Sequence, residues 1–221
     1  MGSGYLLFLG WLAAFGPLPE WTPAKTPFTQ VGFRQIDFRD GIRVYKDKTS
    51  RIVRIAAEGY IPVAAEHLQR ALLDYRAHVG AMARVHTANI LWHRPDNSQL
   101  IVYQRLALPA ASDRDFVLHV ISGKRDHVLY VAYKVAANVG PPPARGVVRV
   151  RHHSGSWQLH PTKDGKRTWV RYQVSIDVGG WIPRWLARSG AGEDLPELFE
   201  ALCRLSRGGK GKGHCLRDPP H

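Results

Sequence analysis

The stretch DVGGWIPRWLARSG, residues 177–190, decides how the rest of the chain is read. Two glycines are followed at once by Trp181, Ile182, Trp185 and Leu186, with Pro183 among them. Pro183 suits a first helical turn, where its missing N–H is not needed. Trp181 with Trp185, and Ile182 with Leu186, then form adjacent i,i+4 rows. So much apolar surface after a flexible joint predicts a helix that covers something greasy. Gly190 and Gly192 weaken that helix. Asp194 and Glu197 have capping-box spacing, so a second helical segment starts there. Leu195, Leu198, Phe199, Leu202 and Leu205 supply its apolar face.

Upstream of the glycine pair, residues 84–177 read as strands and turns only. VHTANILWHR (85–94) pairs with QLIVYQRLAL (99–108) across the turn PDNS. DFVLHVISGK (115–124) and HVLYVAYKVAA (127–137) follow, then the loop NVGPPPARG (138–146). GVVRVRHH (146–153), SWQLHPT (156–162) and RTWVRYQVSID (167–177) complete the set, with KDGK as a hairpin turn. Nearer the start, GIRVYKDK (41–48) and RIVRIAAEGYI (51–61) read as two strands. Between these groups, residues 62–80 carry Ala65, Leu68, Leu72, Tyr75 and Val79 at helical spacing. They predict one amphipathic helix of about four turns. Strands in hairpins, not in alternation with helices, imply an antiparallel sheet. The fold class is α+β: a long antiparallel sheet curled around a C-terminal helix, with space between them.

The chain has 221 residues, enough for one domain, and is 44% hydrophobic. Its net charge of +13 attracts polyanions: nucleic acid, anionic membrane or acidic protein. The basic residues are spread along the chain, with no lysine run, which counts against nucleic acid. Residues 5–15 are apolar and uncharged. That is short of the roughly 20 residues of a membrane span and suits a signal-peptide core. Residues 1–16 are therefore read as a signal peptide or a hydrophobic N-terminal segment, the alternative being a buried helix. Export to a periplasm or the exterior, or membrane association, is expected, with a cytoplasmic location as the alternative. Pro17, Pro19, Pro23 and Pro27 predict an extended linker over 17–32, and residues 207–221 a basic flexible tail. Cys203 and Cys215 are either free thiols or, in an exported protein, a short disulfide loop.

Enzyme signatures are missing. There is no GxSxG elbow, no Walker A run, no GxGxxG after a strand and no HExxH. His152 and His153 are adjacent, so on a strand they point to opposite faces and make poor joint metal ligands. No cofactor or metal is implied. The polar candidates lie on apolar strands. Tyr103 and Arg105 share one face, and Arg149 and His153 share parity within GVVRVRHH. For each the alternative is a solvated outer face.

From SDRDFVLHV (112–120) onward the chain resembles the START domains, the steroidogenic-acute-regulatory-protein-related lipid-transfer family. The resemblance rests on Gly41-Ile42-Arg43-Val44-Tyr45, Leu73-Asp74, Arg114-Asp115-Phe116, Gly146-Val147-Val148-Arg149, Trp157-x-Leu-x-Pro161 and the 177–186 run. It covers residues 33–206. It implies a helix-grip fold with an internal hydrophobic tunnel for one lipid: phospholipid, fatty acid or sterol. Gly179 and Gly180 would turn the chain out of the last strand. Trp181, Ile182, Trp185 and Leu186 would roof the tunnel, and Tyr103, Arg105, Arg114, Tyr133, Arg149 and His153 would line it. Related domains carry an acidic residue where Arg105 stands, so Arg114 lacks its usual partner unless Asp113 or Asp115 turns toward it. Two arginines near one cavity would favour an anionic lipid. The expected mode is binding by a monomer at an anionic membrane, without bond making. The alternatives are a helix-grip enzyme of cyclase or aromatase type and a basic nucleic-acid-binding protein.

Overall fold

The structure is a computed structural model that describes residues 26–47, 49–50, 52–136, 138–177, 179–180, 194–209 and 214–217. Its strands are β1 (Phe33–Arg39), β2 (Ile42–Asp47), β3 (Val53–Ile61), β4 (Val85–His93), β5 (Gln99–Leu106), β6 (Arg114–Arg125), β7 (Val128–Val135), β8 (Val148–Arg149), β9 (His152–Pro161) and β10 (Thr168–Asp177). They form one curved sheet in the order β1-β2-β3-β10-β9-β7-β6-β5-β4. Every pairing is antiparallel except β8, which lies parallel to the start of β6. Strand alternation gives the sheet an inner, concave face on which Ile55, Ala57, Val102, Phe116, Leu118, Val131, Leu159 and Val170 belong to one apolar core.

The helices cover that face. They are α1 (Ala65–Leu73), α2 (Tyr75–His78) and α3 (Leu195–Ser206). α1 buries Ala65, Leu68, Ala71 and Leu72, and α3 buries Leu195, Phe199 and Leu202. Within each helix successive members recur three or four residues apart or sit side by side, so they share one face, which is why both helices lie flat on the sheet. α1 packs on α3, β7 and β9, and α3 on β2 and β3. The helix expected over 62–80 is broken. Asp74 leaves the helical conformation and its carboxylate accepts the Ala77 N–H at 3.2 Å, capping a new turn. Beyond the break Val79 is 44% exposed and leaves the apolar stripe.

Both ends of the described chain are tied down. Phe28, in a short 3-10 turn at Phe28–Val31, packs on the outer sheet face with Phe33, Tyr45 and Ala56. The Arg171 guanidinium sits 4.4 Å over the Phe28 ring, donates to the Thr26 carbonyl at 2.8 Å and pairs with Glu58 at 3.2 Å. Residues 26–32 are therefore docked rather than an extended linker, because Phe28 has an aromatic seat to fill. At the other end Cys203 and Cys215 form a disulfide. The Glu200 carboxylate accepts the N–H groups of Cys215 at 2.6 Å and Leu216 at 3.0 Å, and Arg217 pairs with Asp40. Residues 214–217 are thus held against α3 by a covalent bond and an anion-capped turn, not free in a flexible tail. The segments 1–16 and 181–186, and with them Trp181, Ile182, Trp185 and Leu186, lie outside the described residues.

Candidate functional site

The sheet registers build the site. Tyr133 on β7 pairs with Gly155 on β9, and Gly155 pairs with Val174 on β10. A Cβ at position 155 would stand 2.5 Å from the Tyr133 hydroxyl and 2.6 Å from the Gln173 carbonyl oxygen. Glycine there lets the Tyr133 ring cross the inner face of β9. Its hydroxyl meets that of Tyr172 at 3.0 Å, and either can donate. Trp157 stacks on Tyr172 at 4.1 Å and 27°, and the Phe199 ring lies 5.6 Å from Trp157. His153, one step toward the end of the sheet that bears Gly179 and Gly180, stands edge-on to Phe116 at 4.6 Å and to Tyr133 at 5.1 Å. Its ring is half-buried, and Nδ1 has no hydrogen-bond partner among the described residues.

Two ends of the inner face differ. Toward α1, Leu129, Leu159, Val170 and Ile61 are buried. Toward the glycine pair, Val53, Leu106, Val135 and Ile176 are only half-buried, and His153 pairs in register with Ile176. His153 and the tyrosines of this face are held neutral. Burial, and to a lesser degree the neighbouring His152, lowers the His153 pKa to about 4. Burial raises Tyr172 to about 12, against the opposing hydrogen bond from Tyr133, and raises Tyr133 and Tyr75 as well.

The arginines divide between faces. Arg114 points inward and is 2% exposed. It donates to the Ser112 carbonyl and, at 2.9 Å, to the Gly179 carbonyl, fastening the turn after β10 to the start of β6. Burial pulls its pKa down, with Asp113 opposing. Gly179 and Gly180 hold φ of +57° and +61°, the left-handed region that favours glycine. Tyr103, Arg105 and Arg149 lie on the outer face, since β5 and β6 place them opposite to Phe116 and Leu118. Arg105 pairs with Asp113 at 2.7 Å. Arg149 grips Asp115 through two bonds of 2.7 and 3.0 Å, and Tyr103 donates to the same carboxylate at 3.3 Å. The expectation of two arginines facing one cavity is corrected by this pairing: Asp113 and Asp115 draw Arg105 and Arg149 outward. The shared face of Arg149 and His153 also fails, because GVVRVRHH is two strands, β8 and β9, separated by Val150 and Arg151. Tyr75, Phe116, Trp157 and Tyr172 complete the inner wall. The signal of the three strand residues Phe116, Trp157 and Tyr172 was strand parity, legible only once the registers are known.

Buried neutral histidines make acid costly. Burial lowers His78, His119, His153 and His160 below their ordinary value of 6.5. Between about 6.5 and about 4 the unfolded chain then binds more protons than the folded one, so stability rises with pH there. His153 alone is expected to account for about 2 kcal/mol lost between pH 7 and pH 5. Denaturant titrations at the two pH values check this, and His153→Phe should shrink the difference. An unchanged stability would contradict it.

A curved antiparallel sheet with an aromatic concave face gripped by a C-terminal helix defines the helix-grip class of α+β domains. The sequence profile of the START domain matches residues 81–206, and the chain belongs to this family. A STAR-related lipid transfer protein from Xanthomonas axonopodis is 26% identical, with a TM-score of 0.71 over 80% of this chain and 99% of that one. Human STARD10 shares the fold at 15% identity, with a TM-score of 0.70 over 88% of this chain and 84% of its own. An uncharacterized protein of Pseudomonas aeruginosa is 28% identical over 152 residues, 68% of this chain and 74% of that protein.

Proposed function

We propose that the protein binds one lipid on the concave face of the sheet and carries it between membranes without making or breaking a bond. The observation that carries this reading is the half-buried apolar end of the inner face, where Ile176 pairs in register with His153, Val135 follows on the neighbouring strand, and Val53 and Leu106 lie farther along the same end. An aliphatic chain laid there gains about 0.8 kcal/mol per buried CH₂. The Xanthomonas relative, named as a lipid transfer protein, supports it. The net charge of +13 supports docking at an anionic membrane, which weakens as salt rises. The Cys203–Cys215 disulfide supports an exported, oxidising location. For an anionic ligand the support is reduced to Arg114, since Arg105 and Arg149 face outward with carboxylate partners.

Mass spectrometry of lipids that copurify with the natively expressed protein tests the reading. One defined lipid at a near-equal molar ratio, with transfer between vesicles that falls as salt rises, is expected. No lipid and no transfer would overturn it, and tight salt-dependent binding of DNA in their place would favour the nucleic-acid reading.

A further inference from the structure

We infer that the bound lipid offers an uncharged hydroxyl to the His153 imidazole beside the Tyr133–Tyr172 pair, so that the site selects an alcohol over a carboxylate or a bare hydrocarbon. This rests on the lipid-binding reading above.

The wall around His153 is apolar or aromatic: Phe116, Tyr133, Val135 and Ile176. Within it the imidazole is a neutral group with one nitrogen unused among the described residues. A buried polar atom left unpaired is costly, and a ligand that satisfies it recovers that cost. A hydroxyl can donate to the nitrogen or accept from it, so it suits either tautomer. The Tyr133 and Tyr172 hydroxyls bond each other at 3.0 Å. Their bond uses one of the two O–H protons, so the second remains to donate to an oxygen nearby.

A carboxylate finds less. Burying it requires a cation, and burying it alone costs far more than burying a hydroxyl. Arg105 and Arg149 lie on the other face with Asp113 and Asp115. Arg114 directs two of its nitrogens at the Ser112 and Gly179 carbonyls. Lys46 shares the inner face by its register with Ile55, but β2 is three strands from β9, about 14 Å along the sheet. Gln104, which pairs in register with Phe116, is uncharged. A bare hydrocarbon, in turn, leaves the imidazole nitrogen as it is.

The test uses the full chain stripped of lipid and loaded with an environment-sensitive fluorescent hydrocarbon. A primary alcohol, a carboxylate and an alkane of equal chain length, each delivered from cyclodextrin, then compete for the site. The alcohol is expected to displace the probe at least tenfold more tightly than the other two. His153→Phe should erase the difference between the alcohol and the alkane, and a circular dichroism spectrum and melting temperature at pH 7 close to the parent's show that the variant is folded. His153→Gln should keep most of the preference. A carboxylate that binds best, three equal affinities, or a His153→Phe protein that weakens all three alike would overturn the selection while leaving a lipid binder. A protein that takes up neither probe nor competitor would overturn the lipid reading, and this inference with it.

Discussion

Replacing Arg149 with methionine is expected to destabilise the fold by about 3–5 kcal/mol. The reason is Asp115, whose side chain is fully buried and which depends on Arg149 for two of its hydrogen bonds. Tyr103 supplies a third, longer one at 3.3 Å, too little to hold a carboxylate away from water. The same arginine donates to the Pro141 carbonyl at 3.0 Å, so it also pins the proline-rich loop to the outer face. β8 has two residues and lies against β6 through Val148 N–H to Asp113 and Val150 N–H to Asp115, so without the ion pair little keeps it in place. Removing both charges, with Arg149→Met and Asp115→Leu together, should recover most of the loss, because the penalty belongs to the orphaned carboxylate and not to the missing attraction. Urea denaturation of the two single variants and the double variant, followed by tryptophan fluorescence, measures the coupling. A single-variant loss below about 1 kcal/mol would show that water reaches Asp115 and that the clasp is a surface pair.

That clasp also explains where sequence reading stopped. Alternation correctly put Tyr103 and Arg105 on one face, but period two says which residues share a face and not which face is inner. On most strands polarity decides that. On β6 it does not, because residues 114–121 are buried on both sides. The loop after β7 covers the outer side: a Cβ on Gly140 would stand 2.6 Å from a Val117 methyl. The break in GVVRVRHH was equally silent, since neither Val150 nor Arg151 is a turn residue. β1, FRQIDFR, went unread because both faces mix polar and apolar residues and its register slips at a bulge between Gln35 and Asp37. The glycine pair was legible for a physical reason: two consecutive left-handed residues leave almost no other choice. The amphipathic face of α3 was legible too, as Leu195, Phe199 and Leu202 all point inward. The inner aromatic wall was not. It depends on Tyr133 and Tyr172 meeting across a glycine, a contact between residues 39 apart in sequence.

Phe199→Ala is expected to cost about 3–5 kcal/mol, a loss as large as that of the ion pair but reaching the site itself. Phe199 is fully buried at the centre of α3, between Leu195 and Leu202 on the inward face. Its ring lies 5.6 Å from Trp157, Trp157 stacks on Tyr172, and Tyr172 bonds Tyr133, which stands beside His153. Truncation leaves a void under the indole. Side chains this tightly packed relax only in part, so the indole and the Tyr172 ring lose contact on one side. The helix itself should stay close, tethered by the Arg84–Asp194 pair at 2.8 Å, the Arg207 bond to the Pro62 carbonyl at 3.1 Å and the Arg217–Asp40 pair of the turn that the disulfide joins to it. Lipid affinity is therefore expected to fall in a protein that still folds, with Phe199→Leu keeping most of both stability and affinity because it refills most of the volume. Thermal denaturation beside probe displacement separates the two effects. A Phe199→Ala protein that loses stability yet binds lipid as before would show that the wall formed by Trp157 and Tyr172 does not shape the ligand's place, and that helix and sheet hold each other without reference to what lies between them.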